Sequence, residues 1–403
     1  MNKVESLRKK YPEFIYQNYS YTFSGNNLKI YFNFNIVPDL NFKTEILIKN
    51  IRKNNRGLDN LVFHLGFIEM LNYWKATCSP KIIINAGALN AKQIRFLREV
   101  IINGMGQYFF ENKIDFTKPR FLEIVSKAQK SSTIIKLKAN SKKILIPIGG
   151  GKDTPVTIEL LKNSYLGGFI LNPKKPQLDI AKTAKLKELV IVERKIDAKL
   201  LSLNKKGGLN GHVPFTAFLS FLSLIVAYLN NYQRIAFSWE KSSDEPNLKY
   251  KNKWINHQWS KSRIFEKMFN SYINRYIIQG IDVFSPIRNF SEIQIAQIFA
   301  KLKDYHDKFV SCNNAYKIKS SHIGWCGKCP KCLSVFMYLY PFMEERKLVR
   351  IFGKDLLKDK KLKPLFQQLI EDRAFKPFEC VGTVKENKKV FLMAQKKLFL
   401  NKN

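Results

Sequence analysis

The segment Ile148-Gly149-Gly150-Gly151-Lys152-Asp153-Thr154 has residue types and spacing suited to phosphate chemistry. Glycines lack Cβ atoms, so backbone N–H groups can close around phosphate oxygens, and a helix starting just beyond adds the positive end of its dipole. Lys152 can neutralise phosphate charge, and Asp153 is a candidate for holding Mg²⁺, directly or through water. Thr154 is expected to cap the helix and Pro155 to open it, where its missing N–H costs little. The alternative is a glycine turn with no ligand. The G-x-x-x-x-G-K-[ST] spacing of a Walker A loop is absent.

A second cluster is Cys326-Gly327-Lys328-Cys329-Pro330-Lys331-Cys332, with Cys312 upstream. Four thiolates fit a closed tetrahedral Zn²⁺ site, which is structural because no coordination position is left open. An iron–sulfur cluster is the rival reading. The spacing suits a metal in a reducing cytoplasm better than a disulfide framework. Cys78 and Cys380 stand apart and read as core or pocket residues.

These groups need a scaffold. Residues 144–148 form a short apolar run, and runs at 168–171, 189–192 and 234–239 repeat the pattern, with helical stretches at 154–162 and 215–230. That alternation predicts an α/β fold with a doubly wound parallel sheet. Ahead of it, strand-rich 21–37, helical 58–72, a strand at 81–85 and helical 90–108 predict an N-terminal α+β domain. The Lys- and Ser-rich segment 126–143 is the expected boundary, giving domains 1–135 and 136–403.

At 403 residues two domains are the natural expectation, and 45% hydrophobic content excludes a disordered chain. The first residues show no secretory signal pattern. The uncharged run 213–229 is at the short edge of a membrane span, but its Pro, Thr and Ser residues favour a buried core helix. A cytoplasmic protein without a membrane partner is therefore expected. The formal charge of +37 is spread along the chain. No basic tail or aromatic-interleaved stripe supports dedicated nucleic-acid binding. A positive field would also speed capture of anionic substrates. The sequence does not fix an oligomeric state.

The glycine segment resembles the Ser-Gly-Gly-x-Asp-Ser loop of PP-loop ATP pyrophosphatases, with Gly149 in place of the first Ser and Thr154 in place of the last. The cysteine cluster is similar to that of 7-cyano-7-deazaguanine synthases. Further motifs narrow the resemblance. They are Phe63-His64-Leu65-Gly66, Asn72-Tyr73-Trp74-Lys75-Ala76-Thr77-Cys78-Ser79-Pro80, Leu209-Asn210-Gly211-His212-Val213-Pro214, Asn256-His257-Gln258-Trp259-Ser260-Lys261-Ser262, Gly324-Trp325-Cys326 and Lys376-Pro377-Phe378-Glu379-Cys380-Val381-Gly382. Together they resemble the UDP-N-acetyl-α-D-muramoyl-L-alanyl-L-glutamate epimerases, from about residue 58 to residue 386; the first 50 residues match poorly.

The resemblance implies ATP- and Mg²⁺-dependent inversion of the terminal glutamate of a UDP-muramoyl dipeptide through a carboxyl adenylate, with release of AMP and pyrophosphate. It implies that Gly149, Gly150, Gly151 and Thr154 hold pyrophosphate, with Lys152 neutralising it and Asp153 on Mg²⁺. His212, Glu240 and His257 are the proton-transfer candidates. Tyr73 and Trp74 offer an aromatic platform, and Lys75, Lys261 and Lys376 are candidates for substrate phosphates or carboxylates. The rival within the superfamily is a tRNA-modifying or 7-cyano-7-deazaguanine-synthase-like adenylating enzyme, which would share loop, cluster and charge.

Overall fold

The computed structural model describes residues 2–52, 57–129, 133–137, 142–317, 324–371 and 375–400. Part of the expected boundary segment, residues 130–132 and 138–141, lies outside the described residues. In chain order the first elements are α1 (Lys3–Lys10), β1 (Glu13–Ser24), β2 (Asn27–Ile36), β3 (Leu40–Lys49), α2 (Asp59–Glu69), α3 (Leu71–Trp74), β4 (Lys81–Ile84), α4 (Ala91–Gly104), α5 (Gly106–Glu111), β5 (Glu123–Ser126) and β6 (Ile135–Lys136). Next come β7 (Ile144–Pro147), α6 (Asp153–Leu160), β8 (Leu166–Leu171), α7 (Lys175–Thr183), β9 (Glu188–Lys195), α8 (Ala198–Lys205), α9 (Phe215–Asn230), β10 (Arg234–Ala236), β11 (Leu248–Tyr250) and β12 (Lys253–Ile255). The chain continues through α10 (Arg263–Tyr276), β13 (Ile278–Gln279), β14 (Asp282–Phe284), α11 (Glu292–Phe299), α12 (Pro330–Leu339), α13 (Glu345–Phe352), α14 (Lys363–Ile370) and α15 (Val384–Leu400).

Two compact units emerge. The first comprises Met1–Leu145, Val190–Ile235 and Lys249–Val283; the second comprises Ile146–Leu189, Ala236–Leu248 and Phe284–Asn403.

In the first unit β1, β2 and β3 form an antiparallel meander. Every second residue of β2 is buried (Leu28, Ile30, Phe32, Phe34, Ile36), as a strand with one face on a core requires. Strand β3 pairs antiparallel with residues 191–195 of β9, while β1, β4 and β5 run parallel. Helices α2 and α9 pack together, and both are buried along most of their length. Helix α9 is thus the core helix expected from its apolar run, and no helix among the described residues is long and apolar enough to cross a membrane.

The strand order β14-β10-β7-β8 matters for function. After β7 the chain adds β8 on one side, and later returns to add β10 and then β14 on the other. Strands β7 and β10 are parallel. The bonds Asp282 N to Gln233 O and Phe237 N to Phe284 O, both 2.9 Å, advance in the same direction along β10 and β14, so these run parallel too. Such a reversal opens a crevice at the carboxyl ends of the strands, the usual ligand position in open α/β sheets. The expected α/β class is therefore present. The sheet is mixed, not purely parallel, because of the antiparallel β1–β3 and β9 pairings.

Candidate active site

The glycine segment leaves the carboxyl end of β7 at that reversal. Ile148 N donates to Phe169 O of β8 at 2.9 Å, and Gln177 Nε2 donates to Ile148 O at 3.0 Å. Gly149 N donates to Thr154 Oγ1 at 3.1 Å, closing the loop on itself. Gly150 O accepts from Val310 N at 2.6 Å. A Cβ at Gly150 would sit 1.7 Å from the Tyr316 hydroxyl and 2.6 Å from Val310 O; one at Gly151 would meet Ser311 Cβ at 3.1 Å. The close approach of residues 310–316 thus requires glycine at position 150 and leaves only tight room for a side chain at position 151. Helix α6 begins two residues earlier than the expected cap at Thr154 and first turn at Pro155 imply. Lys152 occupies the cap position with φ −61° and ψ −25° and no side-chain cap, so Thr154 is not the cap and Pro155 lies third in the helix. Thr154 instead uses its hydroxyl to hold Gly149.

Three carboxylates converge in the same unit. Asp153, Glu240 and Glu292 each offer an oxygen, all within 4.8 Å of one another. They come from the segments following β7, β10 and β14. Glu240 and Glu292 are 1% and 2% exposed. Lys152, also buried, bonds Asp153 Oδ1 at 2.6 Å and Glu292 Oε2 at 2.5 Å. Burial alone would lower the lysine pKa, but the two carboxylates outweigh it and hold the ammonium charged. The Glu240 segment is fixed by Ser243 Oγ on Glu240 O at 2.7 Å and by Ser285 Oγ bridging Trp239 N and O at 3.1 and 2.8 Å.

The four thiols Cys312, Cys326, Cys329 and Cys332 also gather in this unit, none in a disulfide. Sγ separations within the group are 4.0 Å (312–329), 3.7 Å (326–332) and 3.4 Å (329–332). A regular tetrahedron with Zn–S bonds of ~2.3 Å has S···S edges of ~3.8 Å, so the four sulfurs fit one ion and leave little room for a multi-iron cluster. Cys329 caps α12 and accepts from Cys332 N at 3.4 Å, and Asn314 Nδ2 donates to Cys326 Sγ at 3.3 Å. Such N–H···S bonds favour the thiolates a metal needs.

The first unit holds a basic group. The rings of His212 and His257 lie 4.4 Å apart. Gln107 Nε2 donates to Glu111 Oε1 at 2.7 Å, which turns the Gln107 carbonyl oxygen to His257 Nδ1 at 2.6 Å. Nδ1 must then carry hydrogen, which leaves Nε2 as the basic nitrogen of neutral His257. Burial, with Lys75 and Lys261 adding positive charge, lowers the His212 pKa to about 4. Burial and Arg194, opposed by Glu69, lower that of Lys75 to about 8. Lys75 Nζ donates to Gly211 O at 3.0 Å.

The structure thus groups His212, His257, Lys75 and Lys261 in one unit, and Gly149–Thr154 with Glu240 in the other. It separates three further candidates from these roles. Tyr73 is fully buried, with its hydroxyl bonded to Thr44 Oγ1 at 2.7 Å and Asp197 N at 3.1 Å, and buried Trp74 donates to Ser79 O at 2.9 Å. Neither ring offers an open face, so the expected aromatic platform is not formed. Lys376 is buried against Glu245 Oε1 at 2.9 Å. Sequence reasoning missed Glu292, Gln107 and Val310. Glu292 follows the capping residue Ser291 and looked like an ordinary first-turn acid.

Fold and site define an α/β protein with a glycine loop at a strand-order reversal and a group of four thiols that could hold a metal ion. The MurL N-terminal domain family matches residues 5–286, and the MurL C-terminal domain family matches residues 308–400. The chain belongs to the MurL family. It is 32% identical over 335 residues to the UDP-N-acetyl-alpha-D-muramoyl-L-alanyl-L-glutamate epimerase of Xanthomonas oryzae pv. oryzae, covering 80% of this chain and 72% of that one. Proteins of the same name from Micromonospora sp. and Salinispora tropica are 33% and 32% identical over 327 residues, covering 80% of this chain and 72% and 70% of theirs. The family match begins at residue 5, so it includes the β1–β3 meander that the motif resemblance left uncovered.

Proposed function

We propose that this chain inverts the terminal L-glutamate of UDP-N-acetylmuramoyl-L-alanyl-L-glutamate to D-glutamate for peptidoglycan precursor synthesis, consuming ATP through a carboxyl adenylate and releasing AMP and pyrophosphate. The observation that carries this reading is the Gly149–Asp153 loop at the carboxyl end of β7, in a chain whose relatives bear the epimerase name.

A free carboxylate makes its α C–H a very weak acid, because deprotonation would put a second negative charge beside the first. Transfer of AMP to that carboxylate removes the charge and makes the carbonyl electron-withdrawing. Backbone amides of Gly149–Gly151 receive the β and γ phosphates, and Lys152 balances the departing pyrophosphate. Mg²⁺, when bound, neutralises triphosphate charge and favours pyrophosphate as leaving group. His212 and His257 are the candidates for taking the α-proton, and return of a proton to the opposite face completes the inversion. Lys75 and Lys261 offset the charge that develops on the carbonyl oxygen. Water then cleaves the adenylate, giving AMP and the D-glutamate product.

Incubation of purified protein with ATP, Mg²⁺ and the L-glutamate-ended nucleotide dipeptide in D₂O tests this. Deuterium at the glutamate α-carbon together with AMP is expected. AMP without deuterium would remove the epimerase reading, and absence of both would remove the adenylation.

A further inference from the structure

We propose that Asp153, Glu240 and Glu292 form a divalent-cation site that fills before nucleotide binds, and that the Lys152 ammonium and the metal are alternative occupants of it. This deepens the adenylation reading and rests on it only for the later arrival of a triphosphate. The single assignment of Asp153 to Mg²⁺ becomes a three-residue site, and Glu240 becomes a ligand instead of a proton carrier.

The geometry comes first. Three carboxylate oxygens within 4.8 Å of one another match the shell of one cation. Octahedral Mg²⁺ with oxygens at ~2.1 Å sets them ~3.0 Å apart when adjacent and ~4.2 Å when opposite. The second observation is independent. Glu240 Oε2 and Glu292 Oε1 are buried with no hydrogen-bond partner, on residues 99% and 98% buried. Buried carboxylate oxygens left unpaired are costly, so two in one acidic group point to a missing cation.

The charge balance agrees. Of the groups around the site, Lys152 bonds Asp153 and Glu292 directly. Lys331 acts on Glu292 only through space, and Arg288 Nη1 reaches the Glu240 backbone carbonyl at 3.4 Å. The Lys152 ammonium bonds two of the three carboxylates, and a divalent ion in its place would balance more of their charge. Lys152 is also the side chain assigned to phosphate. Entry of the metal frees its ammonium from Asp153 and Glu292, and the released side chain then serves the incoming phosphates.

The test uses full-length protein with its cysteine module loaded and Mn²⁺ alone as probe, without nucleotide. Bound Mn²⁺ is read by electron paramagnetic resonance, and folding by circular dichroism and Tm. Wild type should bind one Mn²⁺ that Mg²⁺ displaces. Glu240→Gln and Glu292→Gln, which keep shape and remove charge, should each weaken binding at least tenfold. Lys152→Met should tighten it, because the competing cation is gone. No Mn²⁺ binding by wild type, or unchanged affinity in folded Glu240→Gln and Glu292→Gln, overturns the site. Unchanged or weaker affinity in folded Lys152→Met overturns the exchange. Should either Gln variant fail to fold, Glu240→Asp or Glu292→Asp replaces it, with altered Mn²⁺ affinity expected and an unchanged one overturning the site. Normal Mn²⁺ binding in a protein that makes no AMP would leave this site standing and remove the adenylation reading.

Discussion

The amide of Val310 donates to the carbonyl of Gly150 at 2.6 Å, so the glycine loop is pinned by the segment that delivers Cys312 two residues later. Tyr316 reinforces the pin by donating its hydroxyl to Val310 O at 3.0 Å. Gly150→Ala places a methyl against both partners. We expect pyrophosphate release to fall at least a hundredfold while the protein stays folded. Tyr316→Phe removes one hydrogen bond, costing about 1 kcal/mol, and should raise KM for ATP more than it lowers kcat. Steady-state kinetics beside thermal melts checks both.

Metal removal should act on the same loop. Stripping the cysteine module with a chelator, or Cys329→Ser, takes away the tie that orders residues on both sides of Cys312. Folding energy and metal binding are linked in such modules. The expected result is a lower Tm together with weaker ATP binding, measured by calorimetry, and recovery when Zn²⁺ is restored to the chelated protein.

Gln107 separates the two half-reactions. Gln107→Leu removes the acceptor that fixes the His257 tautomer. AMP formation should persist within a few-fold, while deuterium incorporation at the α-carbon drops more than tenfold. Equal loss of both would show that His257 serves adenylation or folding.

The pH profile follows from Lys75 and His212. With its pKa lowered to about 4, His212 is neutral throughout the physiological range and able to accept a proton. With its pKa lowered to about 8, Lys75 loses its charge as pH rises through that value. Epimerisation should therefore decline above about pH 8. Lys75→Arg, which stays charged, should extend the plateau upward, and initial rates from pH 6 to 10 read this directly.

His64 gives an acid limb to stability. It is 1% exposed, its Nδ1 is 2.8 Å from Asn60 O and its Nε2 is 3.0 Å from the Tyr272 hydroxyl. Burial lowers its pKa to about 4, with the Asn60 carbonyl opposing. Between pH 6.5 and 4 the unfolded chain takes up a proton that the folded chain refuses. The stabilisation is complete above pH 6.5 and is lost as pH falls, by roughly 3 kcal/mol. Urea unfolding at pH 7.5 and 4.5 should show this loss, and His64→Gln should shrink it.

What could be read ahead of the structure was local. The glycine loop and the cysteine spacing are contiguous in the chain, and the α9 run is apolar over its whole length. Glu292 and Gln107 escaped because a first-turn acid and a surface glutamine acquire meaning only from residues 140 or 150 positions away. The Tyr73-Trp74 pair misled for the opposite reason: its polar handles are satisfied inside the protein, by Thr44, Asp197 and Ser79. The meander β1–β3 carries its information in alternation and not in motifs, so it offered no catalytic signal. The start of α6 shifted because Lys152 already adopts helical torsions, and Thr154 is spent on Gly149.

The return of the chain to the far side of β7 has a consequence during synthesis. A ribosome that has finished residues 149–154 has made a loop whose clamp, Val310, and whose third acid, Glu292, are still untranslated. The nascent protein therefore carries the glycine loop long before it carries the residues that pin it, and the loop can take its final form only once residues 292–310 have emerged.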